Sequence, residues 1–359
     1  MLTFDAHLDL ALNALQQNRD LQSSVYTIRS QELGVAGTGR AKGTVAFPEM
    51  RVGRVALSYA TVVVRASGSP APHIDYPSAA QAHGIARGQL AYYRALEAHG
   101  EIRVLTRRSE LDELWNAWSR WDAQPEGAPP PLGIVLTMEC ADAVLDPSDL
   151  ERWWADGLRL LGPAHFGPGR YCGGTGSLFG LTEAGPSLLA EMDRLGIALD
   201  LTHMSDASFW ASLDLYGGPV LASHSNSRRL VENSRQLTDE MIRAIVERDG
   251  VIGATLGNWQ LDQEWRVGHA NAVTVTLERY VDHIEHMCDL AGGTGHVGIG
   301  SDLDGGTGSD EFPQDLDTIV DLQRIPEVLS RRGFGDDDIV AFMHGNWLRF
   351  TRRLLDLEA

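Results

Sequence analysis

The stretch LGIALDLTHMSDASFWASLDLYGGPVLASHS, residues 195–225, decides the reading of the whole chain. Its apolar run at 197–202 predicts a strand that stops at His203. Residues 205–215 carry a helical pattern, and a second apolar run at 219–223 predicts a strand that stops at His224. Strand, helix and strand in this order form a unit whose two strands lie parallel. The histidines that end them therefore open on one edge of the sheet.

The same grammar recurs on either side of this stretch. Strands are expected near 2–6, 53–64, 133–138, 157–162, 250–256 and 297–301, in addition to the two above. Helical stretches are expected at 77–99, 186–195, 237–248, 272–291, 315–331 and 336–355. Eight apolar strands alternating with helices predict an α/β fold, a closed (β/α)8 TIM barrel formed by a single domain over residues 1–359. The spacing is uneven. Residues 10–52 and 62–132 are long excursions, 121–132 is a Pro-rich loop, and the Gly-rich stretch 162–180 follows the fourth strand. In a barrel that last stretch would lie over the catalytic face.

Composition narrows the function. A formal charge of −19 repels phosphate backbones and anionic lipid surfaces, so neither a nucleic-acid nor a membrane partner is expected. Three cysteines (Cys140, Cys172 and Cys288) without a CxxC spacing form no disulfide framework. The opening MLTFDAHLDLALNALQQ lacks the basic and apolar regions of a signal peptide, and a cytoplasmic location is expected.

The placement of acids and histidines carries the chemistry. His7 and Asp9 end the first strand, Glu139 the third, His203 the fifth and His224 the sixth; His165 follows the fourth, and Asp302 and Asp304 end the eighth. His7 and Asp9 stand at the period-2 spacing of a strand, which points both side chains into the barrel mouth. An H-x-D pair alone is common, and either later histidine alone could be a satisfied core imidazole. Three histidines and two carboxylates ending separate strands need a shared partner, and a metal suits nitrogen and oxygen donors without thiolates. Zn²⁺ or a similar first-row ion fits that set. If two ions share the site, a ligand must bridge them. Lys42, the only lysine, lies in the loop sequence GRAKGT and cannot serve as a carbamylated bridge, which leaves Glu139.

At this point the sequence resembles the membrane (renal) dipeptidase family, peptidase family M19, in its bacterial branch within the amidohydrolase-like superfamily. The likeness rests on DAHLDL at 5–10, TMECAD at 137–142, GLRLLGPAH at 157–165, GLTEAGPSLLAEMDRLGIALDLTHMS at 180–205, SHSNSRRLVENSRQL at 223–237 and GIGSDLDG at 298–305. It runs on to HGNWLRF at 344–350, is strongest from 157 to 305 and is weak across 20–130. The resemblance implies a dipeptidase with two Zn²⁺ ions, bridged by Glu139 and a water or hydroxide. It assigns His7, Asp9 and Glu139 to one ion and Glu139, His203 and His224 to the other. It further implies that His165 contacts the scissile carbonyl, that Arg235 binds the substrate's terminal carboxylate, and that Asp302 stands beside the bridging water as the catalytic acid–base. Many relatives are homodimers, and bacterial members often accept a D-residue at the C-terminal position.

Some choices stay open. Asp304 competes with Asp302, since GSDLDG places both on one face of a strand end, and Arg228 and Arg229 compete with Arg235. His165 could merely pack in its glycine-rich loop. The stretch TLGNWQLD at 255–262 ends the seventh strand but yields no residue-by-residue match. The histidines at 73, 83, 99, 269, 283, 286, 296 and 344 fall off the strand ends and read as structural or exposed. Two rival functions remain: hydrolysis of N-acyl amino acids or other small amides at the same metal centre, and a metal-binding scaffold without turnover.

Overall fold

The computed structural model describes residues 1–67, 74–266, 269 and 273–357. The described residues form nine strands: β1 (Thr3–Leu8), β2 (Val55–Val63), β3 (Ile102–Val104), β4 (Leu132–Glu139), β5 (Leu158–Gly162), β6 (Ala198–Asp200), β7 (Val220–Leu221), β8 (Ile252–Ala254) and β9 (Val297–Ile299). Every pairing is parallel, in the order β7-β6-β5-β4-β2-β1-β9-β8. A bridge between Ala222 and Ile252 joins the two ends of that row. There the Ala222 N–H donates to the Val251 carbonyl at 3.0 Å and the Gly253 N–H to the Ala222 carbonyl at 2.8 Å. The row thus curls into an eight-stranded barrel, the (β/α)8 architecture expected.

Glycine makes the closure feasible. A Cβ on Gly253 or on Gly300 would lie 1.9 Å from the Ser223 carbonyl oxygen, so only glycine lets these backbones approach so closely. Ser223 immediately precedes His224, and the contact fixes where that histidine leaves the barrel wall.

The strands are buried on both faces, inside by side chains filling the barrel and outside by helices. Helix Asp239–Glu247 turns Met241, Ile242 and Ile245 inward, and helix Gly185–Leu195 does so with Leu188, Leu189, Met192 and Leu195. The latter stops at Gly196, whose φ of 66° is the left-handed C-terminal cap that glycine favours.

The two long excursions need correction. Residues 62–132 are more structured than an excursion: they contain β3, which pairs with the start of β4, and helix Arg108–Ala123. That helix buries Leu111, Leu114, Trp115 and Trp118, the i, i+3, i+4, i+7 stripe of an amphipathic helix. Short helices (Leu10–Leu15, Val25–Gln31 and Phe47–Val52) likewise occupy 10–52. The C-terminal helical stretches are observed with local changes of pitch: the one expected at 315–331 begins as a 3₁₀ turn at Ile319–Arg324 that runs into helix Ile325–Arg331, and the one expected at 336–355 runs without a break through Asp336–Val340, a π-type turn at Ala341–Gly345 and Asn346–Leu354. The helix expected from 272 is observed as Leu277–Ala291, and His73 and residue 272 lie outside the described residues. Among the described residues no helix is long and apolar enough to cross a membrane.

Candidate active site

The C-terminal ends of the strands bring together side chains that are far apart in sequence. The His7 Nε2 atom lies 3.6 Å from Glu139, 3.8 Å from Asp9 and 3.9 Å from Asp302. On the other side of Glu139, one carboxylate oxygen is 3.2 Å from His203 Nε2, 3.4 Å from His224 Nε2 and 3.8 Å from His165 Nε2. His7, Asp9, Glu139, His203 and His224 are all buried, while His165 and Asp302 are part-buried at the cavity wall. Helix termini and strand ends hold the backbone here under strain. Cys140, His203, Asp302 and Asp304 all have positive φ, between 58° and 74°, where residues other than glycine are rare.

The imidazoles of His203 and His224 are oriented from behind. The Ser223 hydroxyl lies 2.8 Å from His224 Nδ1 and 3.4 Å from the Thr202 hydroxyl. The Thr175 hydroxyl lies 3.3 Å from His203 Nδ1 and donates to the His203 carbonyl at 3.2 Å. With both hydroxyl protons engaged elsewhere, each hydroxyl oxygen accepts from the imidazole Nδ1–H, and each Nε2 keeps its lone pair toward Glu139. Burial, with the positive charge of Arg235 nearby, pushes both imidazoles well below their ordinary pKa, so they are neutral. Asp9 is held from behind by the Thr61 hydroxyl.

The donors here suit a bound cation. Burial would lower the pKa of His7, but the Glu139, Asp9 and Asp302 carboxylates overcome that and raise it to about 10. Burial also pushes Asp302 up to about 7, against the pull of His7. Both ring nitrogens of His7 are buried without a hydrogen-bond partner among the described residues. Three sets of donors each bring their ligand atoms within 4.8 Å of one another: His7, Asp9 and Glu139; Glu139, His203 and His224; and His7, His224 and Asp302. Neutral imidazoles, buried carboxylates and orphaned nitrogens around one point fit divalent metal ions.

The two aspartates of GSDLDG separate. Asp302 faces His7, whereas Asp304 turns away to accept from the Thr44 N–H and hydroxyl and the Val45 N–H, all at 2.8–2.9 Å, with Arg19 at 3.5 Å. The expectation that both share one face fails because β9 ends at Ile299 and both residues take positive φ, which breaks the period-2 alternation. Asp304 clamps the 39–45 loop to the barrel.

Arg235 is buried at the cavity wall, where it donates to the His224 carbonyl at 2.7 Å and faces the Ser225 hydroxyl at 3.2 Å. Arg228 instead pairs with exposed Asp206 at 2.7 Å. His165 accepts at Nδ1 from Arg65, at 3.3 Å, and Arg65 is itself held by Asp75 at 2.6 Å.

The cavity over the site has a volume of about 160 Å³ and is also lined by Phe166, Trp259, Thr307, Glu311 and Phe312. Sequence reasoning missed these five. Trp259 lies in the unmatched TLGNWQLD stretch, and the others sit in loops without periodicity.

Residues 1–358 match the family model described as membrane dipeptidase, peptidase family M19. A Klebsiella pneumoniae protein described as an uncharacterized protein in the pqqA 5′ region is 30% identical over 217 residues, which span 57% of this chain and 76% of that one. The crystal structure of dipeptidase AC, a metallo peptidase of family M19, superposes with a TM-score of 0.80 at 25% identity, covering 99% of each chain. A metallo peptidase from Rhodobacter sphaeroides, crystallised with a phosphinate mimic of the dipeptide L-Ala-D-Ala, does so with a TM-score of 0.78, again at 25% identity and 99% of each chain.

Proposed function

The chain belongs to the membrane dipeptidase family, peptidase family M19, and from that premise we propose that it hydrolyses dipeptides with two zinc ions, L-Xaa-D-Xaa dipeptides among them. His7, Asp9 and Glu139 would hold one ion, and Glu139, His203 and His224 the other. The observation that carries this reading is the position of Glu139 between two donor sets, with one carboxylate oxygen 3.6 Å from His7 Nε2 and the other 3.2 Å and 3.4 Å from His203 and His224 Nε2. Ions bound there would supply Lewis acidity, polarising a carbonyl and lowering the pKa of a water toward neutrality.

The remaining steps belong to the chain's own side chains. Asp302, at the cavity wall 3.9 Å from His7 Nε2, accepts a proton from the attacking water as the oxygen–carbon bond forms. It returns that proton to the amine nitrogen as the carbon–nitrogen bond breaks. His165 receives the Arg65 N–H at Nδ1, so its own proton sits on Nε2, toward the cavity, where it can donate to the carbonyl oxygen as charge develops. Arg235 offers a planar donor fork to the substrate's terminal carboxylate. The L-Ala-D-Ala mimic in the Rhodobacter peptidase supports a substrate of this size.

A stereochemically complete set of dipeptides, their C-terminal amides and N-acyl amino acids tests the reading on zinc-loaded protein. Dipeptides with a free carboxylate are expected to turn over fastest. Arg235→Lys should lower their kcat/KM by roughly 10- to 100-fold, with a much smaller effect on the amides. Faster turnover of N-acyl amino acids, or no turnover across the set, contradicts it.

A further inference from the structure

The cavity contains one carboxylate that neither the donor sets nor the proposed chemistry uses. Glu311 lines the same cavity as Asp302, Arg235 and Trp259, yet it belongs to none of the three donor sets. It is 8% exposed, and its Oε2 oxygen is buried without a hydrogen-bond partner among the described residues. Burying a carboxylate without a partner is costly, and burial, reinforced by Asp310, raises Glu311 above the ordinary range. The nearby cation, Lys42, is engaged with Asp310 at 2.5 Å.

The loop that presents Glu311 is firmly held. The Glu311 N–H donates to the Gly308 carbonyl at 2.9 Å, and the Ser309 N–H donates to the Lys42 carbonyl at 2.8 Å. Asn258 donates from its side chain to the Phe312 carbonyl at 2.8 Å, which ties this loop to the short helix Asn258–Leu261 that carries Trp259. The backbone that carries Glu311 is thus held in place in advance of any ligand, as the support of a recognition group should be.

We propose that Glu311 receives a cationic nitrogen of the substrate's N-terminal residue, so that Arg235 and Glu311 together select a zwitterionic dipeptide. The proposal rests on the dipeptidase reading above and names the selectivity of that same site. Two groups present this chemistry: the α-ammonium, and the ammonium or guanidinium of a basic side chain. A substrate without either leaves Glu311 buried and unpaired, which disfavours N-acyl amino acids.

The test compares two matched ligand pairs, Ala-Ala with N-acetyl-Ala-Ala and Lys-Ala with norleucyl-Ala. Turnover is read on native and Glu311→Gln protein, and affinity by calorimetry on zinc-loaded Asp302→Asn protein with and without Glu311→Gln. One pair should show a preference for the cation of roughly 10- to 100-fold that falls toward unity in Glu311→Gln. Collapse in the first pair assigns the α-ammonium, and collapse in the second assigns the side chain. Unchanged ratios in both pairs overturn the proposal. If native protein hydrolyses none of these peptides, the dipeptidase reading fails, while the affinity ratios still decide the role of Glu311. Should Glu311→Gln fail to fold, Glu311→Asp moves the charge back by one methylene and should reduce the same ratio; an unchanged ratio is again the contrary result.

Discussion

Arg65 Nη1 lies 3.3 Å from Nδ1 of His165, and because a guanidinium can only donate, the contact fixes the imidazole proton on Nε2. Burial pushes His165 down to about 4, so the ring is neutral, and under the proposed function it acts as a hydrogen-bond donor rather than as an acid. Removing the donor with His165→Ala should cut kcat by roughly 10²- to 10³-fold. Arg65→Gln should give a smaller loss, about 10-fold, concentrated in kcat rather than KM, because it frees the tautomer without removing the ring. Steady-state kinetics on both variants check this, and an unaltered kcat in His165→Ala would remove the residue from the chemistry.

Asp304 carries a structural load that its neighbour Asp302 does not. Asp304→Ala strips the Thr44 and Val45 N–H groups of their acceptor and should destabilise the fold by about 2–4 kcal/mol. Asp302→Asn should keep the fold and lose turnover. Denaturant midpoints measured alongside kcat separate the two. Equal stability losses would mean that the pair had been divided wrongly.

His283 makes stability depend on pH away from the catalytic cluster. The Ser227 N–H donates to its Nδ1 at 3.2 Å, and burial lowers its pKa to about 4. The folded state therefore holds this ring neutral while the unfolded chain protonates it at its ordinary 6.5. A depressed pKa gives stability that is complete above 6.5 and is lost as the pH falls toward 4. The difference amounts to about 3 kcal/mol. Unfolding free energies of native and His283→Gln protein should therefore converge between pH 7 and 4; a constant gap would show that the ring does not titrate as described.

Much of this was legible in the sequence, for reasons specific to the elements concerned. The barrel strands are buried on both faces and read as short apolar runs, and the residues just beyond Gly162, Asp200 and Leu221 fall at the mouth because every strand is parallel. β3 was not legible, because three residues carry too little pattern. Helix Arg108–Ala123 was legible in principle, since Leu111, Leu114, Trp115 and Trp118 keep helical spacing. Glu311 and Trp259 were not, because loop geometry alone brings them to the cavity. The separate roles of Asp302 and Asp304 depend on two left-handed backbone turns that no side-chain pattern announces.

Under the proposed function one glutamate, Glu139, serves two metal ions. Elemental analysis of zinc per chain, paired with dipeptide turnover, tests it on native and Glu139→Gln protein. The expected result is about two ions per native chain, with Glu139→Gln holding clearly fewer and losing more than roughly 10²-fold in kcat. A native chain that is fully active with a single ion, or a Glu139→Gln variant that keeps both ions and its turnover, would contradict it.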